Sequence, residues 1–158
     1  MNKDTTVNIL DFLPADAILL DLKSQTKREA LKELVTLLGD AHGIKKSEKI
    51  LDALLEREEL GSTGIGQGIA IPHGKSDHVE NVVAILGISK KGIEFDALDG
   101  EPVYLFFMLV APTNSSGLHL KILAKISRLL KDKFFRQALR EAKSPAEAIQ
   151  LIKEENEY

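Results

Sequence analysis

The chain has 158 residues, enough for one domain of ordinary size, and 44% of them are hydrophobic, enough to build a core. Its 21 basic and 24 acidic residues leave a formal net charge of −3, without the basic excess expected of a nucleic-acid binder. There is no cysteine, which excludes disulfides, thiolate metal sites and cysteine nucleophiles, and with no Trp and 5% aromatics a base-stacking platform is disfavoured.

The first residues, MNKDTTVNILDFLP, lack an apolar stretch of signal-peptide length. The longest apolar run, VYLFFMLVAP from Val103, is about half of the roughly 20 residues a membrane span needs. A cytoplasmic protein without membrane insertion is expected. Leu31, Leu34, Val35 and Leu38 recur at helical spacing, Thr26 and Glu29 form a capping box, and Gly43 closes the first helix. A second helix is predicted from Ser47 to Leu60, with Ile50, Leu51, Leu54 and Leu55 on one side and a stop at Gly61.

Next comes GSTGIGQGIAIPHGKSDH, with five glycines between Gly61 and Gly74. Ile69 and Ile71 alternate with Ala70, which predicts a short strand entering His73. NVVAILGIS from Asn81 and the run Val103 to Val110 predict two buried strands, with turns at Lys91-Gly92 and Asp99-Gly100 between them. Ser115 or Ser116 caps a helix carrying Leu118, Ile122, Leu123, Ile126, Leu129 and Leu130. A short helix from Asp132 to Ala142 follows, and Ser144-Pro145-Ala146-Glu147 starts the last one. The whole chain, 1–158, therefore reads as a single α/β domain with its core at about 7–153. Its mixed, mostly buried sheet is covered by helices on both faces.

The glycine-rich stretch fits neither common phosphate loop. The dinucleotide fingerprint begins at Gly64 and Gly66, but Ile69 stands where the third glycine belongs. Gly68 is followed by five residues, one too many for a Walker loop, before Gly74-Lys75-Ser76, and Pro72 removes an amide from the cradle. His73, Asp77, His78 and His119 are possible metal ligands, yet no H-x-x-x-H or H-E-x-x-H pair organises them, and no metal site is expected. A histidine after a Gly/Pro turn is commonly a solvated side chain. Against that, His73 has small neighbours, Arg57 lies on the helix just before the loop, and His119 lies in the first turn of a capped helix, where anions are favoured.

These residues carry a resemblance. GSTGIGQGIAIPHGK resembles the phosphorylation-site segment of the fructose/mannitol-type (type 2) IIA proteins of the bacterial phosphoenolpyruvate-dependent phosphotransferase system. The resemblance extends from NILDFLPADAILLDL through SPAEAIQLI, and the GSTGIG wording is similar to the nitrogen-regulatory branch. It implies that His73, in Ile71-Pro72-His73-Gly74, accepts the phosphoryl group as a tele-phosphohistidine. It further implies that Arg57, sixteen residues earlier, clamps that group and guides its transfer, and that His119, in His119-Leu120, supports it. Thr63 and the glycines would let the donor's backbone come close, and His42 and His78 would be surface residues. The implied donor is HPr or its nitrogen-branch paralogue. The implied acceptors are regulatory target proteins or, in a sugar-specific role, a separate IIB protein. No cofactor is implied, since both partners already hold the phosphoryl group on protein.

Overall fold

The computed structural model describes residues 8–156. Two 3-10 turns, Ile9–Asp11 and Ala15–Ala17, lead into a short strand, β1 (Ile18–Leu19). Helix α1 (Lys27–His42) starts at Thr26, whose hydroxyl accepts from the Glu29 amide at 3.2 Å, and ends at Gly43 in the left-handed conformation. Ala30, Leu31, Leu34, Val35 and Leu38 form its buried face. Helix α2 (Ser47–Glu59) buries Ile50 and Leu54. Three short strands follow, β2 (Gly64–Gly66), β3 (Ile69–Ala70) and β4 (His73–Lys75), then the two long ones, β5 (Val83–Ile93) and β6 (Val103–Ala111). Helices α3 (Ser116–Leu129), α4 (Lys133–Arg140) and α5 (Pro145–Asn156) complete the chain.

The sheet runs β1-β5-β6-β3-β2, and β4 also pairs with β6, further along the strand edge that β3 occupies. β5 and β6 are antiparallel, whereas β1 is parallel to β5, and β3 and β4 are parallel to β6. Residues 83–89 of β5 are buried without alternation, as are nearly all of β6, so both faces of the central pair are covered. The expected single α/β domain with a mixed, mostly buried sheet is therefore what forms. Among the described residues no helix is long and apolar enough to cross a membrane.

Three local expectations are corrected. The strand entering His73 is two strands, because Pro72 has no N–H to give the ladder; its carbonyl still accepts from Leu109 N at 2.9 Å. Lys91-Gly92 is not a hairpin turn. β5 continues through it to Ile93 by way of a register shift, with Gly92 at φ 85° and a Cβ there blocked at 2.9 Å by the Tyr104 ring. The glycines before His73 build the β2–β3 hairpin: Gly66 and Gly68 take positive φ around Gln67, and Gly64 packs so tightly on Ala97 that a Cβ would lie 2.9 Å from its Cα.

Candidate active site

His73 opens β4, and its Cα pairs with Leu109 in the middle of the buried sheet. α3 begins five residues after β6 ends, so the chain turns back and brings His119 over β4. The two imidazole rings lie 5.7 Å apart, centroid to centroid, tilted by 58°. His73 Nδ1–H donates to Ile71 O at 2.8 Å, a geometry only the Nδ1-protonated tautomer can make. In the neutral ring, Nε2 therefore carries the lone pair. Burial holds the His73 pKa below the usual imidazole value; the Ile71 carbonyl opposes this, and Arg57 adds to it. The neutral imidazole is thus favoured more than in a free histidine.

His119 is 5% exposed, and its Nε2 has no hydrogen-bond partner among the described residues. Burial, then His73 and Lys75, push its pKa down to about 4. A buried polar atom without a partner costs on the order of 1–3 kcal/mol. That atom belongs to the ring lying 5.7 Å from His73.

Arg57 sits in the last turn of α2 and donates Nη1–H to Gly61 O at 2.9 Å, close enough to His73 to act on its titration. Its neighbour Glu58 is not a solvated acid. Its carboxylate is 5% exposed, pairs with Lys27 Nζ at 2.9 Å, and accepts from Thr63 N at 3.0 Å and from the Thr63 hydroxyl. Thr63 is accordingly buried, a correction to its expected place on the donor-facing surface. It is a link in the frame instead: Thr63 O accepts from Ile71 N at 3.0 Å, and Ile71 O fixes His73.

Three further differences concern nearby residues. Lys75 had no expected role, yet it lies two residues after His73 on the same side of β4, and its Nζ donates to Ser116 Oγ at 2.6 Å. The i, i+2 spacing in a strand was the available signal. Ser115 occupies the N-cap position of α3 but makes no side-chain cap bond, which leaves the helix's first amides without a side-chain acceptor. His78 is exposed as expected, whereas His42 is half-buried and donates Nε2–H to Ala84 O at 3.0 Å. Among the described residues no three metal-ligating side chains converge.

Fold and site together define a small α/β protein that brings a half-buried histidine, a second buried histidine and the cations Arg57 and Lys75 together at one edge of a mixed sheet. Residues 11–155 match the family described as phosphoenolpyruvate-dependent sugar phosphotransferase system, EIIA 2, and the chain belongs to that family of phosphoryl carriers. It is 39% identical over 144 residues to a nitrogen regulatory protein of Bradyrhizobium diazoefficiens, covering 91% of this chain and 93% of the relative. It is also 39% identical, over 137 residues, to the fructose-specific EIIA component of Haloferax volcanii, covering 87% and 89%. The crystal structure of the nitrogen regulatory protein IIA-Ntr from Neisseria meningitidis matches with a TM-score of 0.85 at 34% identity, over 91% of this chain and 98% of that one. The mannitol IIA enzyme of Escherichia coli, solved in complex with its phosphorylated IIB enzyme, matches with a TM-score of 0.77 at 26% identity, over 90% and 97%.

Proposed function

We propose that His73 is the phosphoryl acceptor and that it reacts through Nε2. The observation that carries this is the 2.8 Å bond from Nδ1–H to Ile71 O, which leaves Nε2 as the nucleophile. The donor is the phosphohistidine of an HPr-type phosphocarrier, HPr itself or its nitrogen-branch paralogue. The lone pair of His73 Nε2 attacks phosphorus while the donor's P–N bond breaks, and the donor imidazole leaves with that electron pair. Positive charge grows on the His73 ring, and Ile71 O stabilises it at Nδ1–H. Arg57 clamps the phosphoryl oxygens and guides onward transfer. His119 Nε2–H, otherwise unpartnered, donates to one oxygen. Lys75 and the uncapped first turn of α3 add positive potential.

The fold match and the GSTGIG wording favour the nitrogen-regulatory role, in which the phosphorylation state of a cytoplasmic protein controls its binding to target proteins. The equally identical fructose-specific relative supports a second reading, transfer to a separate IIB protein for sugar uptake. Incubation with phosphorylated HPr and intact-mass detection tests the acceptor. Wild type should gain one acid-labile phosphate and His73→Ala none, while keeping its circular dichroism. A full equivalent on the variant overturns the assignment. Transfer from the phosphorylated protein to candidate IIB proteins separates the two roles.

A further inference from the structure

A concave site lies toward the other end of the sheet from His73. It has a volume of about 610 Å³ and is lined by Gln67, Ser89, Lys90, Lys133, Arg136 and Arg140, among others. Its wall includes Leu105, four residues along β6 from the partner of His73, or about 13 Å at strand spacing. The groove is therefore separate from the proposed acceptor site.

Its charge is unusual for this chain. The net charge is −3 overall, yet residues 121–143 carry eight Lys or Arg against two Asp or Glu. Three of those cations, Lys133, Arg136 and Arg140, follow the i, i+3, i+7 spacing that places them along one side of α4. Lys90 faces them from β5, and Glu141 is the single carboxylate in the lining. The two arginines are held in place before any ligand arrives. Arg136 Nη1 donates to Leu130 O at 2.9 Å and to Lys131 O at 2.8 Å, and the Arg140 guanidinium lies 3.8 Å from the centroid of the Tyr104 ring. Preorganised guanidinium groups lose little freedom on binding, and their planar fork matches phosphate oxygens.

We propose that this groove binds a small metabolite carrying a diphosphate group. Four cations and one carboxylate leave a local charge of +3. A single phosphate, at about −1.5 to −2 near pH 7, leaves part of that charge unmatched, whereas two linked phosphates neutralise it. The volume lies in the range of ligand-sized pockets, roughly 300–1,000 Å³. Convergence of the cations from a strand and a helix onto one concavity favours a compact anion over an extended polymer.

Inorganic pyrophosphate is the probe. Titration calorimetry, with amide chemical shifts to locate the site, should show one equivalent bound with sub-millimolar Kd and shifts at Ser89, Lys90 and Lys133–Arg140. Orthophosphate should bind at least tenfold more weakly. Lys90→Glu/Lys133→Glu, two exposed positions, should weaken pyrophosphate binding more than tenfold with an unchanged melting temperature, while His73→Ala should bind as wild type does. Absence of binding at millimolar pyrophosphate overturns the proposal. So does equal affinity for orthophosphate, retention of binding by the double variant, or loss of binding in His73→Ala.

Discussion

Replacing Glu58 by Ala is expected to damage both stability and phosphoryl acceptance, although this residue touches no reacting atom. Its carboxylate is 5% exposed and serves three donors: Thr63 N, the Thr63 hydroxyl and Lys27 Nζ. The variant leaves two buried Thr63 donors without an acceptor, at about 1–3 kcal/mol each. Lys27 is 22% exposed and stays 4.7 Å from the Phe95 ring centroid, so it can recover water and adds little to the loss. Rotation of the Thr63 hydroxyl recovers part of the cost, which leaves a net loss of about 3 kcal/mol, consistent with breaking a buried pair. At 2–4 °C per kcal/mol for a chain of this size, the melting temperature should fall by about 6–12 °C. Glu58→Gln keeps an acceptor and the side-chain shape, and should lose about 1–2 kcal/mol. Acceptance should slow as well, because the frame runs from Glu58 to Thr63, from Thr63 O to Ile71 N, and from Ile71 O to His73. Urea unfolding gives the stabilities, and Lys27→Met combined with Glu58→Gln isolates the pair. A loss below 1 kcal/mol in Glu58→Ala, or identical losses in the Ala and Gln variants, refutes this account.

Arg57→Lys should still be phosphorylated but pass the group on more than tenfold more slowly, about 1.4 kcal/mol, because an ammonium cannot hold two oxygens in the fork geometry; single-turnover transfer rates measure it. His119 is held at about 4 in the folded protein, below the ordinary imidazole value, so the unfolded chain binds the extra proton between the two. The His119 part of stability should be full above about pH 6.5 and decline toward pH 4 by at most about 3 kcal/mol, and urea titrations of His119→Gln should show a shallower slope that keeps only the His73 part. Gly64→Ala places a Cβ 2.9 Å from the Ala97 backbone and should destabilise by about 1–3 kcal/mol, read by thermal unfolding, with the β2–β3 hairpin shifted.

The helices were legible because their signals are local. Thr26 with Glu29, and Ser144 with Glu147, cap where the sequence places them, and the buried faces of α1 and α3 follow the apolar spacing, except that Leu118 of α3 is exposed and His119 is buried in its place. Of the short strands only β3 was legible, from the alternation of Ile69, Ala70 and Ile71; in the others two or three residues carry no period. β1 and the 3-10 turns before it have no sequence signal of their own, β3 is set between β2 and β6, and β4 is formed by pairing with β6. His73 stands out as a candidate because its setting is contiguous, a proline and glycines within a few residues.

What surrounds His73 is a matter of register, which sequence spacing does not encode. Pairing of His73 with Leu109 sets how far β6 runs past the histidine, and that distance decides where α3 starts. A one-residue slip of β4 would turn His73 and Lys75 to the other face of the sheet and away from His119. Nothing in LEREELGSTG distinguishes Glu58 from its acidic neighbours, because its burial depends on Lys27, thirty-one residues earlier, and on the chain turning at Gly61. The proposed acceptor is therefore written locally in the chain, whereas the groups proposed to hold it and a phosphoryl group in place are assembled by the fold. Substitutions in that frame should alter the reaction without touching it.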